Sequence, residues 1–151
     1  MGAIGVNHIS FTVSDLEQSI AFYTVLLERE PIERTTFADA TDAAITGYDN
    51  VHMEAAFFEL PGLPAVLELF EYHNPPGAQV DLENYNTGNA HIALYVDDIE
   101  REFERLSAAG ATFRHPRPVL IEGGRFDGEK CAYLRDPNGI TIELVQPPPQ
   151  R

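Results

Sequence analysis

Two stretches decide the fold. His8-Ile9-Ser10-Phe11-Thr12-Val13-Ser14-Asp15-Leu16-Glu17 recurs as His91-Ile92-Ala93-Leu94-Tyr95-Val96-Asp97-Asp98-Ile99-Glu100, with five of ten positions identical. Each copy opens on a histidine. A second matched pair closes each half: Val66-Leu67-Glu68-Leu69-Phe70 and Thr141-Ile142-Glu143-Leu144-Val145. The chain therefore reads His…Glu, His…Glu. Two copies are too few for a solenoid and point to a domain of paired modules.

Within each repeat the periodicity changes once. Ile9, Phe11 and Val13 alternate with His8, Ser10 and Thr12, the pattern of a strand with one apolar face. Ser14-x-x-Glu17 then reads as a capping box, and Leu16, Ile20, Tyr23 and Leu27 form a helical stripe. Pro31 stops the helix. In the second copy Ile92, Leu94 and Val96 form the apolar side of the strand. Asp97 with Glu100 repeats the cap, and Ile99, Phe103 and Leu106 repeat the stripe. Gly110 is the expected C-terminal cap.

Strands are expected near 33–37, 52–60 and 65–72, with a loop between the first two. They are expected again near 111–114, 118–121, 129–135 and 140–146. Asp136-Pro137-Asn138-Gly139 signals a tight turn. Residues 73–90, with Pro75, Pro76, Gly77 and Gly88, read as a linker. The expected class is α+β: paired βαβββ modules forming an open cup-shaped mixed sheet. The organisation is a single domain over 1–151, with module one at about 4–72 and module two at about 91–146.

Composition narrows the function. The chain has 151 residues, enough for one ordinary core. A net charge of −14 argues against nucleic acid, whose phosphates need clustered Lys and Arg. There is no apolar run of membrane-spanning length and no signal-peptide pattern. One cysteine, Cys131, excludes an internal disulfide and fits a reducing cytoplasm, where it reads as a small buried strand residue.

Strand parity locates the chemistry. If Ile9 and Phe11 face the helix, His8 faces away. Leu67 and Leu69 place Glu68 on the uncovered face in the same way. Ile92 and Leu94 do so for His91, and Ile142 and Leu144 for Glu143. Two imidazoles and two carboxylates make a mixed nitrogen/oxygen set suited to one divalent ion per chain: Zn, Ni, Co, Mn or Fe(II). His52, His73 and His115 lie in or beside loops and read as solvated or structural. Arg117 and Arg125 flank a glycine-bearing loop, where a substrate clamp competes with ordinary salt bridging. Tyr95 and Thr141 share faces with His91 and Glu143, so they line the substrate or simply pack.

These features together resemble the vicinal oxygen chelate superfamily, which includes glyoxalase I, methylmalonyl-CoA epimerase, extradiol dioxygenases and bleomycin-resistance proteins. The resemblance runs over about residues 4–146. It rests on the His8 and His91 strands, Ser14-Asp15-Leu16 with Phe22-Tyr23, Leu67-Glu68-Leu69, and Asp136-Pro137-Asn138-Gly139 before Ile142-Glu143-Leu144. It implies His8, Glu68, His91 and Glu143 as metal ligands, a set closest to that of glyoxalase I and the epimerase. It further implies a lyase or isomerase acting on a small carbonyl substrate, with Glu143 or Glu68 as the base. An Fe(II) dioxygenase and a non-catalytic drug-binding protein are the alternatives. The partners expected are a small-molecule substrate and a second copy of the chain, with no nucleic acid and no membrane. In the family a glycine commonly follows the first helix, and here Glu28 stands in its place.

Overall fold

The computed structural model describes residues 2–149. The chain divides into two compact units, with the boundary between Gln79 and Val80.

The first unit runs β1 (His8–Val13), α1 (Leu16–Leu27), β2 (Glu33–Phe37), α2 (Ala40–Thr46), β3 (His52–Glu59) and β4 (Val66–Asn74). Its four-stranded sheet has the order β1-β4-β3-β2, with β1 parallel to β4 and the other pairs antiparallel. The second unit runs β5 (His91–Tyr95), α3 (Ile99–Ala108), β6 (Thr112–Phe113), β7 (Val119–Leu120), β8 (Lys130–Arg135) and β9 (Thr141–Gln146). Its order is β5-β9-β8-β6, with β7 added beside β8. The topology is thus repeated: the opening strand lies parallel to the closing strand in both units. The α+β class and mixed pairing agree with the sequence, and the strands form two hydrogen-bonded sheets.

The helices cover the faces that strand parity selects. In the first unit Leu16, Tyr23 and Leu26 of α1 are buried together with Phe58, Leu67 and Leu69. Tyr23 anchors this core, with ring centroids 6.4 Å from both Phe11 and Phe58. In the second unit Ile99 and Leu106 of α3 are buried with Leu134, Ile142 and Leu144. Removing a buried leucine of this kind costs about 2–5 kcal/mol through lost transfer energy and the cavity left behind.

Four local readings need correction. The buried stripe of α1 is Leu16, Ser19, Tyr23 and Leu26, rotated slightly from the expected one, so Ile20 and Leu27 are only half-buried. In α3 the buried positions are Ile99, Glu102 and Leu106, while Phe103 is half-buried and stacks on Phe113 at 4.1 Å. The N-caps are Asp15 and Asp98, each one residue later than expected. Their carboxylates accept from the Gln18 and Arg101 amides, because a short acidic side chain reaches the third helical N–H from the cap position. The region 38–51, expected to be a loop, contains the short helix α2, which Asp39 and Asp42 close with a reciprocal capping box. An aspartate at the fourth position replaces the usual glutamate, and that hid the signal.

Both long helices are tied to the closing strand in one further way. The Leu16 amide donates to the Glu71 carboxylate at 2.7 Å, and the Ile99 amide donates to Gln146 Oε1 at 2.8 Å. Glu71 and Gln146 each lie three residues past the closing-strand glutamate. The helix N-terminus, with its unsatisfied N–H groups, is thereby fixed to the strand that carries Glu68 or Glu143.

Glu28 ends α1 at φ 52, ψ 38, in the left-handed region that glycine occupies without penalty. Its side chain is exposed, so nothing but the backbone is at stake. Glu28→Gly is expected to stabilise the chain by roughly 0.5–1 kcal/mol, the strain relieved less the extra entropy of glycine. A thermal melt checks this, and a lower Tm would contradict it.

Candidate metal centre

The closing strands hold the carboxylates at equivalent places. In the first sheet His8 pairs with Val66, and Glu68 is two residues further along β4. In the second, His91 pairs with Thr141, and Glu143 is two residues further along β9. Residues two apart on a strand share a face, so each histidine meets its glutamate diagonally on the side away from the helix.

The distances follow. His8 Nε2 lies 3.6 Å from Glu68 Oε2, and His91 Nε2 lies 3.2 Å from Glu143 Oε2. The histidines are partly open, with side chains 48% and 37% exposed, while the carboxylates are more enclosed at 8% and 17%. Each pair therefore has a more enclosed anionic end and a more accessible imidazole end.

Turn chemistry sets up the second pair. Asp136 Oδ1 accepts from the Asn138 and Ile140 amides at 2.8 and 2.7 Å, and Gly139 closes the turn at φ 86. This turn fixes where β9 begins and hence where Glu143 falls. Segment 81–89 is pinned to the same unit. Arg135 binds the Leu82 carbonyl at 2.6 Å, and Glu83 bridges Arg114 and Arg135 at 2.9 and 3.1 Å. The Arg114 hydrogen bond holds the Glu83 carboxyl below its usual range.

The donor set suits a divalent cation. Asn7 Oδ1 lies 2.8 Å from His8 Nδ1, which leaves Nε2 as the ring nitrogen turned toward Glu68. An imidazole nitrogen and a carboxylate oxygen so placed can share a proton or a metal ion. Two donors about 2.1 Å from a shared ion stand roughly 3.0–3.4 Å apart for octahedral or tetrahedral angles. The 3.2 Å pair lies inside that span and the 3.6 Å pair just beyond it. Among the described residues no three His, Cys, Asp or Glu side chains form a group that could hold a metal. The expected ligands come together as two pairs, one in each unit.

The other expected site residues are placed as follows. Thr141 is fully buried, and its hydroxyl donates to Asn84 Oδ1 at 2.6 Å. Tyr95 is 74% exposed at the end of β5. Arg125 is exposed in its loop, with its guanidinium 5.5 Å from the Phe126 ring. His73 lies between Glu54 at 3.1 Å and Glu71 at 3.7 Å, and His115 Nδ1 lies 2.8 Å from the Arg117 carbonyl oxygen.

Sequence reasoning missed two neighbours of Glu143. Tyr133 pairs with it across β8–β9, and the Tyr133 ring lies 5.4 Å from the His91 ring. Burial raises the Tyr133 phenol, and the Glu143 charge adds to that. Cys131 lies on the same face, and burial pushes its thiol up to about 12, with a hydrogen bond to Glu143 and the charge of Glu143 adding. Only the antiparallel register brings these groups together, and a one-dimensional pattern does not carry it. At pH 8 the Cys131 thiol therefore stays protonated. Iodoacetamide is expected to alkylate the folded chain roughly 10³-fold more slowly than the unfolded chain, since the thiolate is the nucleophile. Equal rates would contradict this placement.

Known proteins agree with this architecture. Residues 5–144 match the family model described as Glyoxalase/Bleomycin resistance protein/Dioxygenase superfamily. A 2-epi-5-epi-valiolone epimerase from Actinomyces sp is 31% identical, covering 97% of this chain and 81% of that protein. A lactoylglutathione lyase from Salmonella typhimurium is 32% identical, covering 92% of this chain and 90% of that protein. Among solved structures, a glyoxalase family protein from Bacillus cereus superposes with a TM-score of 0.81 at 20% identity, covering 97% of this chain and 95% of that one. With the family model spanning nearly the whole sequence and the βα-strand repeat present in both units, the chain belongs to the Glyoxalase/Bleomycin resistance protein/Dioxygenase superfamily.

Proposed function

We propose that this protein is a divalent-metal-dependent lyase or isomerase that moves a proton beside a carbonyl group of a small substrate. The observation that carries the reading is the duplicated His–Glu pair, set at the same diagonal register in both sheets. The residues that would hold the metal are His8, Glu68, His91 and Glu143. A divalent ion held by these groups supplies Lewis-acid polarisation of a carbonyl oxygen. The relatives support the reaction class, since an epimerase and lyases stand among them.

The chain's own groups have distinct tasks. His8 and His91 would hold the ion through Nε2, the nitrogen each turns toward its glutamate. Glu68 or Glu143 would take the proton from the carbon beside the carbonyl, each being an enclosed carboxylate among the residues that would hold the ion. Returning that proton to the other face of the carbon gives an epimer, and returning it to the neighbouring carbon gives an isomer.

The test is exchange in deuterated water with an oxygen electrode in parallel, over a panel of 2-hydroxy ketones, 2-oxoaldehyde thiol adducts and acyl thioesters. Deuterium is expected at the carbon next to the carbonyl, with no oxygen consumed. Oxygen uptake coupled to product, and retained in Glu68→Ala, would overturn the proposal in favour of a two-histidine, one-carboxylate iron oxygenase.

A further inference from the structure

On the Glu68 face of the first sheet the aromatic residues are grouped. Phe70 and Tyr72 stand two and four residues beyond Glu68 on β4, so all three side chains leave the strand on one side. Phe37 at the end of β2 lies 5.8 Å from Phe70, and Phe70 lies 6.0 Å from Tyr72. Tyr48 meets Tyr72 edge-on at 6.3 Å. Tyr48 is brought there by α2, a helix without a counterpart among the described residues of the second unit, and by the left-handed turn at Gly47. The four rings form one continuous strip that starts beside Glu68.

This strip is not core. Tyr23 and Phe58, on the helix side, are fully buried, whereas Tyr48 is 49% exposed and Phe37, Phe70 and Tyr72 are half-buried. Burial raises the Tyr72 phenol, and the Tyr48 and Glu68 charges add to it. The phenol therefore lies within the field of both groups and stays a hydrogen-bond donor at neutral pH.

Charge near the strip is equally one-sided. Arg29 and Arg34 are the only Arg or Lys side chains between residues 1 and 79. Arg29 is paired with Glu59 at 3.5 Å, and Arg34 is paired with Glu17. A substrate carrying carboxylates is usually held by arginine forks or ammonium groups, and this face offers neither.

Resting on the proton-transfer reading above, we infer that Tyr48, Tyr72, Phe70 and Phe37 form the substrate-recognition wall, and that they take a neutral, hydroxyl-rich ring ketone. The ring faces pack against the C–H face of a carbocycle, and the two phenols exchange hydrogen bonds with its hydroxyls. An anionic thiol adduct has no cation to meet on this wall.

The chain has six tyrosines and no tryptophan, so its near-ultraviolet emission reports tyrosines alone. The purified chain and the variants Tyr72→Phe and Tyr48→Ala are titrated with scyllo-inosose and, separately, with S-lactoylglutathione. Emission and calorimetry are both followed. The ring ketone is expected to bind and quench emission, each variant to weaken it roughly tenfold, and metal content and Tm to stay unchanged. S-lactoylglutathione is expected to leave the emission unaltered. No ring-ketone binding by the parent chain, unchanged affinity in both variants, or tighter binding of the glutathione adduct would overturn the assignment. Metal content is read independently of ligand binding, so failure of the metal reading and failure of the wall appear in different measurements.

Discussion

His8→Ala and His91→Ala are each expected to lower metal affinity by more than about 10²-fold while leaving the fold intact. Removing an outer-sphere partner of a metal ligand already costs about 10–100-fold, so removing the ligand itself costs more. Stability should change little. Both side chains point away from the helix-covered core and are partly open to solvent, the setting in which substitutions usually stay within about 0.5 kcal/mol. Each truncation also leaves its carboxylate without the histidine. Glu68 keeps Ser10 opposite it on β1 and Phe57 opposite it on β3. Glu143 keeps Tyr133 and Cys131 beside it. Full metal occupancy in either variant would contradict the ligand assignment.

Glutamine at position 68 or 143 is expected to separate holding a metal from taking a proton. A glutamine side chain keeps a coordinating oxygen but loses the basicity of the carboxylate. If Glu68 or Glu143 is the base, its Gln variant should retain metal and lose about 10²–10⁴-fold in the rate of deuterium exchange, the usual worth of a positioned base. The other variant should change metal affinity more than exchange. Deuterium exchange by mass spectrometry and metal content on the same samples check both. Exchange at the parent rate in both variants would remove the carboxylates from the proton transfer.

Much of this was legible in the sequence because it rests on alternation. Ile9, Phe11, Leu67 and Leu69 commit one face of the first sheet to the helix, and His8 and Glu68 then fall on the other face. The same holds for Ile92, Leu94, Ile142 and Leu144 with His91 and Glu143. The Asp136–Gly139 turn was legible for a local reason: proline, asparagine and glycine fit a tight turn without help from the rest of the chain. What stayed hidden depends on register or on short polar reach. Tyr133 and Cys131 are distant from His91 in sequence, and only the β8–β9 pairing sets them on its face. The cap at Asp15 rather than Ser14 turns on a one-residue shift between two capable side chains. Helix α2 was lost because its seven residues carry no apolar stripe and bury nothing, so only the Asp39–Asp42 box marks it. The aromatic strip was lost for the same reason, since Tyr48 reaches Tyr72 only once α2 is formed.

The central claim is that the His–Glu pairs hold a divalent ion, and metal content tests it most directly. The chain is purified without chelators, its bound metals are measured by elemental analysis, and its Tm is compared with and without added Zn, Ni, Co, Mn or Fe(II). About one ion per chain is predicted, together with a higher Tm on metal addition, because a ligand that binds only the folded state stabilises it by mass action. A chain that carries no metal and whose Tm is indifferent to all five ions would contradict the account.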